Sequence, residues 1–140
     1  IVMVVGGTNN RKDYNYNENT EFFYQVEGDM ILKIIDDKGM QRDVSIQEGD
    51  IYLLPGKVPH SPQRKANTVG LVIEYPRSKE MTDALEWYCE NCGSQLYREE
   101  FKLDNIEKDM PVIFDKFYSD KKKRTCNTCG TVMQAPKKIK

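Results

Sequence analysis

The stretch GDIYLLPGKVPHSPQR, residues 49–64, decides the fold. It runs from a turn glycine into the apolar strand IYLL, passes through Pro55 and Gly56, and reaches His60, the only histidine of the chain. A strand, a turn and a histidine in this order can place the imidazole in the mouth of a small β-barrel, where ligand cavities form. A lone histidine is more often structural than functional, so its role depends on the side chains that accompany it.

A second stretch, DYNYNENTEFFYQVEG at residues 13–28, supplies a carboxylate for such a site. Glu21 opens the aromatic run EFFYQV, at a place where a small β-barrel would hold a metal ligand. Six residues earlier, where a histidine would complete the site, stands Asn15. Taken alone, Glu21 would also suit a solvent-facing position before a strand. This stretch looks built around a metal site from which one ligand is missing.

The residues around these stretches predict a mostly β protein. Short β-type runs separated by turn signals fill residues 1 to about 75, namely IVMVV, EFFYQV, MILKII, DVSI, IYLL and VGLVIE. Asp37, Lys38 and Gly39 predict a hairpin turn after MILKII. We expect a β-barrel or sandwich over residues 1–80. Because the chain begins inside a predicted strand, we also expect an N-terminal segment of the barrel to be missing.

The pattern changes after residue 80. A hairpin is predicted over LEWYCENCGSQLYREEFKL, and apolar residues four apart in NIEKDMPVIFDKFYSD predict a helical face. Pro111 argues against one straight helix, because proline lacks the backbone N–H that a helix interior uses. Residues 81–140 therefore form a C-terminal extension with one or two short helices.

The cysteines predict a second metal site. All four lie in Cys-x-x-Cys-Gly pairs, at Cys89 with Cys92 and at Cys126 with Cys129. Two intervening residues let both thiolates of a tight turn face one ion, and the following glycine allows that turn. Two disulfides or four free thiols are the alternative. Because tetrahedral sulfur suits both iron and zinc, the ligands leave the ion open between Fe and Zn.

Composition limits the possible partners. The chain has 140 residues, of which 39% are hydrophobic, and it carries 21 basic against 22 acidic side chains. This balance gives no reason to expect nucleic acid or an anionic membrane, and the basic run 121–124 is expected to be a solvated loop. No apolar run approaches the roughly 18 residues that span a bilayer, and IVMVVGG is too short for a signal peptide. We expect a cytoplasmic protein with a small-molecule partner.

Several stretches resemble a known family. The spacings from Glu21 to Gly28 and from Gly49 through Pro55 to His60 resemble the two motifs of cupins. The strings VVGGTNNRKDY, EFFYQVEGDM, LLPGKVPHSPQR, EWYCENCG and KRTCNTCG resemble the 3-hydroxyanthranilate 3,4-dioxygenases, in the bacterial and fungal form that has a rubredoxin-like second metal site. The resemblance implies an all-β fold, with a cupin (jelly-roll) barrel over residues 1–80 and a small rubredoxin-like region over residues 81–140.

The resemblance also implies an activity and a set of site residues. The family holds Fe(II) by two histidines and a glutamate, which correspond to His60, Glu21 and the position of Asn15. Counterparts of Arg64 and Glu74 orient the substrate, and the counterpart of Arg11 lies beside the oxygen site. The implied reaction cleaves 3-hydroxyanthranilate with O2 to 2-amino-3-carboxymuconate semialdehyde, which closes to quinolinate, a precursor of NAD in the kynurenine pathway. The family also implies a homodimer.

Asn15 leaves a second functional class open. An amide oxygen is a weaker ligand for Fe(II) than imidazole is. The alternative is a cupin-type small-molecule binding protein whose iron site is weakened or lost. A third class, a zinc-ribbon interaction module, is supported only by the cysteines and the basic run.

Overall fold

The computed structural model describes residues 1–137, and ten strands precede two helices in them. The strands are β1 Val2–Gly6, β2 Tyr14–Tyr16, β3 Glu21–Glu27, β4 Met30–Ile35, β5 Gln41–Ile46, β6 Ile51–Leu54, β7 His60–Arg64, β8 Val69–Glu74, β9 Asp83–Tyr88 and β10 Gln95–Phe101, and the helices are α1 Ile106–Tyr118 and α2 Lys121–Arg124. The predicted mostly β fold with short C-terminal helices is confirmed. Among these helices none is long and apolar enough to cross a membrane.

The strands form two antiparallel sheets. One has four strands in the order β1-β8-β3-β6, and the other has six in the order β10-β9-β2-β7-β4-β5. Alternate residues of the strands face inward, as in the inner face of β3, where Glu21, Phe23 and Gln25 are all buried. The main core contains Phe23, Met30, Leu32, Ile46, Leu54 and Val72. The two sheets therefore enclose one apolar core, and polar side chains lie on the same inner faces.

Two of the ten strands, β2 and β7, have polar sequences that do not predict a strand. Their sequences are YNY and HSPQR, and both lie inside the six-stranded sheet. The Pro62 carbonyl accepts a hydrogen bond from Asn9 Nδ2 at 2.9 Å and therefore faces away from β4. Pro62 is tolerated in β7 because the N–H that proline lacks would face the same way, so no hydrogen bond to β4 is lost. Neighbouring strands and side chains, rather than local propensity, hold these two strands in place.

The C-terminal region has its own small core. Helix α1 buries Ile113 and Phe117, and the Phe117 ring stacks on Trp87 of β9 with centroids 4.2 Å apart. Asn105 caps the helix by accepting a hydrogen bond from the Lys108 N–H at 3.1 Å.

Pro111 does not interrupt α1, contrary to the expectation from sequence. The helix runs without a break from Ile106 to Tyr118. Pro111 lies in its second turn, and the carbonyl that loses a partner belongs to the exposed Glu107, which water can reach.

The six-stranded sheet continues across residue 80. Strand β9 pairs with β2 in the register Tyr14 to Glu86, Asn15 to Leu85 and Tyr16 to Ala84. The hairpin that carries the first cysteine pair is thus hydrogen-bonded to the barrel region. The division into regions 1–80 and 81–140 stays a prediction.

Candidate active site

The predicted catalytic, substrate-binding and metal-binding residues of the barrel line one cavity. It has a volume of about 240 Å³ and is lined by residues of both sheets and of the start of α1. The predicted residues that line it are Arg11, Asn15, Glu21, His60, Arg64 and Glu74. They come from strands β2, β3, β7 and β8 and from the loop before β2, so the fold brings together side chains that are far apart in sequence.

His60 and Glu21 form a buried pair at the centre of this wall. They are the first residues of β7 and β3, and His60 Nε2 lies 2.8 Å from Glu21 Oε2. Two atoms that bind one ion at right angles, with bonds of about 2.1 Å, would be about 3 Å apart. The His60 Nδ1 lies 2.9 Å from the Val58 carbonyl, which orients the ring. The pair therefore has the spacing of two ligands of one metal ion.

The pair also determines its own protonation. Burial alone lowers the pKa of His60, but the hydrogen bond and the charge of Glu21 outweigh burial and raise it. Burial raises the pKa of Glu21, and the hydrogen bond and charge of His60 lower it further than burial raises it. A proton and a metal ion would compete for the same Nε2 lone pair.

Asn15, the residue at the predicted third ligand position, lines the same cavity, but its amide oxygen already has a partner. Asn15 lies opposite His60 in the β2–β7 pair, and its Oδ1 accepts a hydrogen bond from Arg11 Nη2 at 2.7 Å. Arg11 is also paired with the buried Asp13. Two of the three residues therefore fit a divalent transition metal, and the third offers a weak, neutral oxygen.

Arg64 is a buried cation without an acidic partner. It is 7% exposed, and it forms no ion pair with any of residues 1–137. Its guanidinium makes a hydrogen bond to Gln25 Oε1 at 3.4 Å. A Cβ at Gly70 would lie 2.6 Å from Arg64 Nη1, so a larger residue there would have to displace the end of this side chain. Burial and then the charge of Arg11 lower the pKa of Arg64. A carboxylate of a ligand would supply the missing charge.

Glu74 ends β8 on the same wall. Burial raises its pKa to about 7, with further contributions from a hydrogen bond to Glu21 and from the charge of that residue. Its carboxylate accepts a hydrogen bond from Arg77 Nη1 at 3.0 Å. A carboxyl group whose pKa is near 7 can accept or donate a proton at physiological pH.

The four cysteines converge at a second site, outside the cavity. Their sulfurs all lie within 4.8 Å of one another, and residues 1–137 contain no disulfide. The two turns match, since Gly93 N donates to the Cys89 carbonyl and Gly130 N to the Cys126 carbonyl, each at 2.9 Å. Both glycines have φ of 79°, the left-handed conformation that the sequence predicted for them. Four sulfurs at this spacing fit one tetrahedral ion.

Sequence reasoning missed several polar residues of the cavity. Gln25, which does not line the cavity itself but accepts a hydrogen bond from Arg64, could have been found, because strand periodicity places it on the inner face of β3 with Glu21. Arg77 and Asp83 gave no such signal, because they flank a polar connection whose path only the folded chain shows.

With a cavity between two antiparallel sheets that is lined by both polar and apolar side chains, the chain falls in the class of β-barrel and sandwich proteins that bind small ligands inside the fold. Within this class, the sequence profile of the 3-hydroxyanthranilic acid dioxygenase family matches residues 1–118. The chain belongs to this family.

Individual relatives agree with the family assignment. The chain is 52% identical to a 3-hydroxyanthranilate 3,4-dioxygenase of Xanthomonas campestris pv. campestris (strain 8004), over 99% of this chain and 78% of the relative. It is 49% identical to the protein of the same name from Jannaschia sp. (strain CCS1), over 94% of this chain and 73% of the relative.

Among solved structures, the chain resembles two proteins at low similarity. One is an oxalate decarboxylase of Bacillus subtilis, with a TM-score of 0.42 and 26% identity over 61% of this chain and 20% of the other. The second is a cupin-2 domain containing protein from Shewanella frigidimarina, with a TM-score of 0.40 and 22% identity over 54% of this chain and 67% of the other.

Proposed function

We propose that this protein is a ring-cleaving dioxygenase that acts on 3-hydroxyanthranilate. One observation carries the substrate: the unpaired guanidinium of Arg64 lines the same cavity as the His60–Glu21 pair. The substrate has a carboxylate for the guanidinium and adjacent amino and hydroxyl groups for a metal ion. The names of the relatives support the same activity.

The metal at the cavity is proposed to be Fe(II), held by Glu21 and His60 with Asn15 at the third position. When bound, the ion would supply a Lewis acid for the aminophenol and a path for electrons from the substrate to dioxygen. We assign the imidazole and carboxylate ligands of the family to His60 and Glu21 because these two side chains lie 2.8 Å apart.

The protein side chains have separate roles in this proposal. Arg64 grips the substrate carboxylate with two parallel hydrogen bonds, which fix the ring in the cavity. Glu74, with its pKa raised to about 7, accepts the proton of the ring hydroxyl. Arg11 lies beside the third ligand position, where its charge would favour an anionic oxygen species. The apolar Phe23, Val72 and Met110 line the rest of the wall and limit the access of water.

The tetracysteine site is proposed to hold a second ion, Fe or Zn, in a structural role. With all four ligands supplied by the protein, no position is left for a substrate. We also propose a cytoplasmic location, because a reducing compartment keeps four such thiols available for metal.

We further propose that two copies of the chain associate through the outer face of the four-stranded sheet. Two rows of apolar side chains cross this face, Val2, Ile73, Phe22 and Leu53 in one row and Val4, Leu71, Tyr24 and Ile51 in the other. Val2, Val4, Ile51 and Leu53 are each more than 60% exposed. A second copy suits the face best, because the rows carry no charge that a partner of another kind would have to match.

The test of the activity is oxygen uptake by the Fe(II)-supplemented protein with 3-hydroxyanthranilate, followed together with the formation of the semialdehyde. We expect uptake that depends on both the substrate and Fe(II). Anthranilate, which lacks the ring hydroxyl, serves as the control and should give none. Tight binding of 3-hydroxyanthranilate without oxygen uptake would overturn the dioxygenase proposal.

A further inference from the structure

Arg77 forms a fork between two acidic residues of the cavity wall. Its Nε and Nη2 donate to the two carboxylate oxygens of Asp83 at 2.7 and 2.8 Å, and its Nη1 donates to Glu74 Oε2 at 3.0 Å. All three side chains line the cavity, and none is more than 15% exposed. Because the guanidinium is planar and rigid, fixing one edge on Asp83 fixes the direction of the third bond.

The fork also joins the two sheets. Glu74 ends β8 of the four-stranded sheet, Asp83 opens β9 of the six-stranded sheet, and Arg77 lies in the connection between them. Arg77 therefore fixes the position of the Glu74 carboxylate relative to β9. This strand contributes none of the predicted metal or substrate ligands.

Glu74 needs such a partner because its other charged neighbour is Glu21. The two residues lie directly opposite each other in the β3–β8 pair, and like charges at such positions repel. Without the Arg77 pair, this repulsion would favour rotation of the Glu74 side chain away from Glu21 and out of the position from which it meets a ligand.

We propose that Arg77, anchored by Asp83, is a positioning residue that holds Glu74 where it recognises the ring hydroxyl of the substrate. This inference rests on the proposed function. It assigns two separate tasks in recognition, since Arg64 binds the carboxylate that 3-hydroxyanthranilate shares with anthranilate, whereas the Arg77–Glu74 unit distinguishes the two by the hydroxyl group.

The experiment compares the affinities of these two ligands. The Fe(II)-supplemented full chain is titrated without oxygen with 3-hydroxyanthranilate and with anthranilate, as wild type and as Arg77→Ala, Arg77→Lys and Asp83→Asn. The wild type should prefer 3-hydroxyanthranilate. Arg77→Ala should reduce this preference by ~10-fold or more, the range of a hydrogen bond to a charged group, and leave the affinity for anthranilate within ~2-fold. Arg77→Lys should restore little of it, because an ammonium cannot bridge both carboxylates.

Arg98→Ala is the matched control. Arg98 also pairs with a buried carboxylate of β9, Glu86, at 2.9 Å, but neither residue lines the cavity. Added guanidinium ion should restore part of the preference to Arg77→Ala and have no effect on Arg98→Ala. In oxygen-uptake assays, Arg77→Ala should lower kcat more than it raises KM.

The outcomes separate the two proposals. If the wild type prefers 3-hydroxyanthranilate and Arg77→Ala retains the full preference, the positioning role is refuted and the proposed function stands. If Arg77→Ala loses affinity for both ligands equally, Arg77 supports the fold only, and the inference is again refuted. If the wild type shows no preference, the proposed function fails and this inference fails with it.

Discussion

At the scale of single residues, the hydrogen bond from Arg11 to Asn15 governs how the cavity would hold iron. The amide oxygen that would face the ion is already bound to a cation at 2.7 Å, which withdraws electron density from a donor that is weak to begin with. Glu21 and His60 take no part in this hydrogen bond, and their side chains lie 2.8 Å apart. If position 15 faces the metal as proposed, Asn15 would lower the affinity for the ion and leave the His60–Glu21 pair in place.

Asn15→His tests this limit. An imidazole at position 15 would complete a facial set with Glu21 and His60, so Fe(II) occupancy should rise and ring cleavage should increase by ~10-fold or more, on the scale of changes around metal ligands. Metal analysis of the purified protein and the initial rate of oxygen uptake measure the two effects. Gln47→His is the control, since it adds a histidine at an exposed position outside the cavity. Unchanged iron content in Asn15→His would show that position 15 does not face the metal.

Substitution of Arg64 tests whether this residue binds the substrate carboxylate. Arg64→Ala should weaken binding of 3-hydroxyanthranilate by ~10-fold or more, because a charge-assisted pair is lost, and Arg64→Lys should recover only part of the affinity. Calorimetric titration without oxygen gives the three dissociation constants. If all three are equal, the carboxylate does not bind at Arg64.

The residues of the cavity differ in how far the sequence could predict them. Glu21 and His60 stand in stretches whose spacing already indicates a site, and the family resemblance adds Arg11, Arg64 and Glu74. Arg77 was not predicted, because its role depends on a bridge between Glu74 at the end of β8 and Asp83 at the start of β9, which no local pattern encodes.

At the scale of secondary structure elements, predictability follows hydrophobic periodicity. The six strands with apolar runs were predicted, whereas β2 and β7 were not, because their hydrogen-bonding partners rather than their own residues make them strands. These two polar strands carry Asn15, His60 and Arg64, so weak local signals coincide with the functional wall.

A prediction at the scale of elements concerns the ion that the two cysteine pairs are proposed to share. Cys126→Ser removes one of four converging sulfurs, so the ion should be lost and backbone hydrogen exchange should accelerate in β10 and α1, while β3 and β8 keep their protection. Metal analysis and hydrogen exchange provide the measurements. Thr128→Ser, which leaves all four sulfurs in place, is the control. Full metal content in Cys126→Ser would contradict the shared site.

At the scale of the whole molecule, the outer apolar face predicts the oligomeric state. Leu53 is 64% exposed in the middle of β6, so Leu53→Glu should leave the fold intact but place a charge where two copies would meet. Sedimentation should show a dimer for the wild type and a monomer for this variant. Val112→Glu, at an exposed position of α1, should remain dimeric. A wild-type monomer at all concentrations would remove the proposal.

The pairing of β2 has a consequence for the order in which the chain is made. β2 aligns one residue with β7 but three with β9, and its main partner follows about seventy residues later. On a ribosome that adds about 5 to 20 residues per second, β2 waits several seconds for that partner, and such long-range pairing forms late in folding. The nascent chain can pack Phe23, Leu32 and Val72 before β9 emerges, but until then β2 is held only by the single residue that it aligns with β7. Synthesis of β9 therefore sets the earliest moment at which a new chain can complete the cavity wall that carries Asn15.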